Sequence, residues 1–87
     1  MRIFKKQVTV KSKELFDSKG EFNLTEDLAN LLDTILLLLI IEDGLDLWKI
    51  DLELRRCGFF ISYPDLKMVM IKLVNEGKIQ DGRFSLN

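Results

Sequence analysis

Residues 54–86 read LRRCGFFISYPDLKMVMIKLVNEGKIQDGRFSL, and how this stretch folds decides the architecture of the chain. Its first residues close an apolar stripe of Leu47, Ile50, Leu54 and Cys57 at helical spacing, so a helix is expected from 47 to about 57 with Asp46 as its N-cap. Arg55 and Arg56 fall in the last turn, where the helix dipole favours cations, and Gly58 follows as a terminator. Pro64 suits the first position of a second helix, entered through Ser62 or Tyr63. Leu66, Val69, Met70, Leu73 and Val74 make its core face, and Gly77 ends it. Lys78-Ile79-Gln80 and Arg83-Phe84-Ser85-Leu86 then flank Asp81-Gly82, a strong hairpin signal. A rival reading starts from Ile50, Leu52 and Leu54, which alternate with Asp51 and Glu53 at strand period. Residues 59–63 would then return as a strand, giving the β-α-β-β-α-β order of a ferredoxin-like fold. The dipole-matched arginines and the glycine rank the helix first.

Upstream, residues 2–11 suggest a strand, with Phe4, Val8 and Val10 sharing one parity. Residues 12–18 fit one helical turn carrying Leu15 and Phe16, and Ser18-Lys19-Gly20 is a turn signal. A long helix begins near Asn23 or Thr25, since Asn23-Leu24-Thr25-Glu26 has capping-box spacing. It runs to about Ile41 and stops at Glu42-Asp43-Gly44. Leu28, Leu31, Leu32, Ile35, Leu38 and Leu39 form its inner stripe. Its outer face starts polar at Glu26, Asn30 and Asp33 but continues as Leu37, Ile40 and Ile41. A helix apolar all round needs cover all round. The N-terminal strand or a second copy of the chain is the expected cover.

The composition bounds the class. Eighty-seven residues, 47% hydrophobic and 31% charged, suit one folded domain. The longest apolar run, residues 35–41, is far below the ~18 residues of a membrane span, and no secretory signal follows MRIFKK. With Cys57 alone no internal disulfide forms, so a reducing, cytoplasmic setting is expected. The net charge of −1 conceals a pattern: +4 over residues 1–20, −8 over 21–53 and +3 over 54–87. Local fields rather than whole-chain charge steer partners, so a polyanion stays open. Taken by itself, the pattern is better read as charge scatter on a solvated surface.

From Leu47 onward the chain resembles winged-helix (winged helix-turn-helix) domains. The resemblance rests on Leu54-Arg55-Arg56-Cys57-Gly58-Phe59, on Asp65-Leu66 with Met70 and Leu73, on Glu76-Gly77-Lys78-Ile79, and on Asp81-Gly82-Arg83-Phe84. It implies an α+β fold, mainly α with a small β-hairpin: three helices and a C-terminal wing, to which the N-terminal strand and turn are additions that the general pattern does not explain. Residues 1–22 would be an extension and 23–87 the domain. It also implies that the last helix meets the major groove of double-stranded DNA while the wing touches phosphates. Carried over, the DNA contacts would be Arg55, Arg56, Tyr63, Lys67, Lys72, Lys78 and Arg83. About six cations on phosphates would give log affinity a slope near −5 against log salt.

One departure stands out. Met68 and Ile71 are apolar where base readers are usual, and Asp65 has the wrong sign for phosphate. Two readings follow. The first is a transcriptional regulator, a homodimer through Leu37, Ile40 and Ile41. The second is a protein-interaction module or accessory subunit using Met68 and Ile71. Both residues would instead be plain core if the wing or N-terminal strand covered them. Catalysis is not expected. The chain has no histidine, and its five glycines stand apart, so zinc sites, His-based nucleophile pairs and phosphate loops are missing. Glu42, Asp43 and Asp46 match no cation loop, and a helix end followed by an N-cap explains them. No metal and no cofactor is expected. Trp48 is read as packing with its N–H at the rim.

Overall fold

The computed structural model describes residues 7–87. In chain order it contains strand β1 (Val8–Val10), a 3-10 turn (Ser12–Glu14), helix α1 (Glu26–Ile41), helix α2 (Leu47–Arg56), strand β2 (Phe59–Ile61), helix α3 (Tyr63–Asn75) and strands β3 (Ile79–Gln80) and β4 (Ser85–Leu86). It is a small α+β protein of three α-helices and short strands. None of the described helices is long and apolar enough to cross a membrane.

The helix boundaries follow local chemistry. Thr25 caps α1, its hydroxyl accepting the Leu28 N–H at 3.2 Å. Asn23 takes part only through its backbone, accepting the Thr25 N–H, so the capping box expected from residue 23 does not form. Asp46 starts α2 with its carbonyl, which accepts from Ile50 N–H, and not with its carboxylate. That carboxylate turns to Arg83 instead. Ser62 caps α3 by accepting the Asp65 N–H, and Pro64 sits in the first turn, where its missing N–H has no helical partner to lose. At the far end of α3 the N–H of Gly77 bonds to Val74 and that of Lys78 to Leu73. This paired closure requires a left-handed residue, and Gly77 supplies it at φ +76°.

Residues 50–54 are helical, which removes the ferredoxin-like alternative. The alternation of Ile50, Leu52 and Leu54 is a coincidence of the helical pattern. Ile50 and Leu54, one turn apart, are buried, while Leu52 faces outward. Residues 59–61 are nonetheless extended. They pair in parallel with β1, Val8 opposite Phe59 and Val10 opposite Ile61. The N-terminal strand expected over 2–11 is confined to Val8–Val10 among the described residues, and Phe4 lies outside them. The hairpin also differs in detail. Its loop takes residues 81–84, because Phe84 leaves β4 to exchange two backbone hydrogen bonds with Leu45 at 2.9 and 3.0 Å. That bridge ties the α1–α2 connection to the hairpin.

One apolar core joins these parts: Leu28, Leu31, Leu32, Ile35 and Leu39 from α1, Ile50 and Leu54 from α2, and Leu66, Val69, Met70 and Leu73 from α3. Val10 and Leu15 belong to the same cluster, so residues 8–15 share the core of the helices. No polar or charged side chain is buried among the described residues. Leu38, expected on the inner stripe of α1, is only half-buried at its margin. Cys57, expected in the core, is exposed as the residue that caps the C-terminal end of α2.

Candidate interaction surfaces

The surface of α3 is built by two elements. Its core residues recur at positions 66, 69, 70 and 73, which leaves Tyr63, Lys67, Met68 and Ile71 exposed. Residues 16–22 lie beside it. Asp17 shapes that segment by accepting the N–H groups of Lys19 and Glu21 on one carboxylate oxygen, at 2.8 and 3.0 Å. Phe16 and Phe22 bridge across its base with their rings stacked, centroids 5.5 Å apart. The result is a tight loop pinned against the helix. Glu21 reaches Lys72 at 3.5 Å. Phe16, Gly20, Met68, Ile71, Lys72 and Asn75 line an open depression between loop and helix. Met68 is 47% exposed and Ile71 49%, so neither is core, and the hairpin and β1 leave both uncovered.

The cations expected to meet phosphate are distributed differently. Lys72 is largely covered and held between Glu21 and Glu76. Lys78 also reaches Glu76, at 3.7 Å. Arg55 pairs with Asp51 at 3.2 Å, and Arg56 with Glu53 at 3.0 Å. Arg83, on the hairpin loop, pairs with Asp46 at 3.5 Å. Exposed pairs of this kind are weak, roughly 0–1 kcal/mol each, and do not lock a side chain. Their effect is on the local field, which each carboxylate brings towards neutrality. Of the six, Lys67 has no ion pair among the described residues, and it stands on α3 with the exposed Tyr63. The six are not gathered on one helix face: they divide among α2, α3 and the hairpin.

A second apolar surface lies on α1. Leu37, Ile40 and Ile41 are exposed, Ile41 at 81%. Trp48, read from the sequence as packing, is 59% exposed. The signal was present, because residue 48 falls on the side of α2 opposite Ile50 and Leu54, together with the partly open Leu52. Glu42, Asp43, Asp46, Trp48, Lys49 and Arg83 line a depression below the end of α1. No group of three or more metal-binding side chains is gathered among the described residues.

Comparison with protein-family models, curated proteins and solved structures gives no match.

Proposed function

We propose that this chain is a winged-helix-type protein-interaction module that docks a partner on the outer face of α3. The order α1, α2, α3, hairpin, with Leu45 bridging to Phe84 of the hairpin loop, supports the winged-helix assignment. The observation that carries the function is the pairing of Met68 and Ile71, both about half exposed, beside Phe16 in one depression. A helix that reads bases presents hydrogen-bonding side chains at such positions. Here the face offers methionine and isoleucine, a combination suited to adaptable apolar contact. Residues 16–22 add bulk beside α3 and bring Glu21 to Lys72, which lines the groove.

DNA binding by a regulator is the second reading, favoured by the exposure of Tyr63 and Lys67 on α3 and of Arg83 on the hairpin loop. Binding of a labelled random-sequence duplex at about 50 and about 200 mM salt separates the two. The interaction reading expects little binding at either salt. It also expects concentration-dependent light scattering that Met68→Lys/Ile71→Lys suppresses. Tight binding with a log–log salt slope near −5, abolished by Lys67→Glu/Arg83→Glu, would replace it with the regulator.

A further inference from the structure

We propose that the second half of α1, with the depression around Trp48, docks a basic amphipathic helix of another protein. This surface is separate from the α3 groove and does not depend on it. The core side of α1 is taken by Leu28, Leu31, Leu32, Ile35 and Leu39. On the opposite side the first turns carry Glu26, Asn30 and Asp33, and the last carry Leu37, Ile40 and Ile41, all exposed. Three apolar side chains spaced three and four apart match the anchors of a helix-in-groove contact.

Charge selects the occupant. Helix α1 contains three acids and no lysine or arginine. Glu42 and Asp43 follow it directly, and neither has an ion pair among the described residues. They stand at the negative end of the helix dipole, where acids are unfavourable and cations are attracted. Two depressions meet there. One is lined by Leu38, Ile41 and Glu42, the other by Glu42, Asp43 and Trp48, and Lys49 borders both. The nearby cations are engaged: Lys49 with Glu53 at 3.6 Å and Arg83 with Asp46 at 3.5 Å. Trp48, 59% exposed beside them, adds an indole, the best aromatic platform for a lysine or arginine. A partner helix laid on Ile40 and Ile41 would thus carry its basic side chains into two uncompensated carboxylates and an indole.

A second copy of the chain fits this surface poorly. Parallel overlap of the apolar halves sets Glu42 and Asp43 against their own equivalents. Antiparallel overlap sets Asp33 near Asp43 of the second copy. Neither arrangement brings a cation from the second copy's α1, which has none.

The test uses the 87-residue chain and a synthetic leucine–lysine amphipathic peptide of about 18 residues, roughly five turns, without aromatic residues. Trp48 is the only tryptophan, so its emission reports the site. Saturable binding with a blue shift is expected, and none with the same peptide carrying glutamate for lysine. Glu42→Lys/Asp43→Lys should weaken binding about tenfold or more, and Ile41→Lys likewise, with circular dichroism confirming the fold. Glu14→Lys/Asp81→Lys, an equal charge change elsewhere, should leave affinity within about twofold, as should Met68→Lys/Ile71→Lys. Three results would overturn the proposal: equal binding of both peptides or of neither, an equal loss in the Glu14/Asp81 control, or a dimer in sedimentation that Ile41→Lys dissolves.

Discussion

Leu15→Ala asks whether the segment before α1 belongs to the cooperative core. Leu15 has no solvent-accessible surface. Its carbonyl accepts the Asn23 N–H at 2.9 Å, which holds it beneath the segment that leads into α1. Truncation removes three buried carbons, a transfer loss of about 2.4 kcal/mol at ~0.8 per methylene. The cavity left behind raises this to about 3 kcal/mol, within the usual range for buried leucines. A domain of this size holds about 4–13 kcal/mol in total. Tm should therefore fall by about 12–24 °C, and the urea midpoint by about 2–3 M if m is near 1 kcal/mol/M. Lys13→Ala, two residues earlier and exposed, should stay within about 0.5 kcal/mol. Urea unfolding followed by backbone circular dichroism and by Trp48 emission provides the measurement, and the two curves should coincide. A loss below about 1 kcal/mol would refute the reasoning, since a Leu15 in the cooperative core cannot be removed so lightly. Residues 8–22 would then be an appendage that opens separately.

Three further outcomes are expected. Thr25→Ala should cost about 1 kcal/mol of unfolding free energy while Asn23→Ala costs far less, and equal costs would contradict the cap seen at Thr25. Gly77→Ala should lose about 1 kcal/mol from backbone strain alone, because an added Cβ meets nothing within 4 Å; urea denaturation that leaves stability unchanged would count against the left-handed closure of α3. Cys57, exposed at the end of α2, should react fully with an aromatic disulfide reagent in the native state, and reaction only after denaturant would return it to the interior.

The local signals in the sequence were those with a short-range cause. Thr25 and Ser62 hydroxyls cap the helices that follow them, Pro64 lies in a first turn, and Gly58 and Gly77 follow α2 and α3. Each acts within four residues, so spacing alone exposes it. Misreadings came where a distant residue decided the matter. Asp46 has cap chemistry, but Arg83 claims its carboxylate. Phe84 has strand chemistry, yet Leu45 draws it out of the hairpin. Lys72 looked like an open cation, and of its two carboxylate partners Glu76 is one turn away while Glu21 is far off in sequence. Phe59–Ile61 reads as a strand only in the rival fold until Val8–Val10 supplies its partner. The apolar surfaces were half legible. Leu37, Ile40 and Ile41 stood out because the inner stripe of α1 was already complete, whereas the loop that frames Met68 and Ile71 depends on a pairing of Phe16 with Phe22 that periodicity does not reveal.

The parallel pairing of β1 with β2 has a temporal consequence. Val8 finds Phe59 only about fifty positions later, a long-range closure. During synthesis β1 therefore leaves the ribosome with no seat to occupy. It must wait until both of the first two helices have emerged before it can join the sheet.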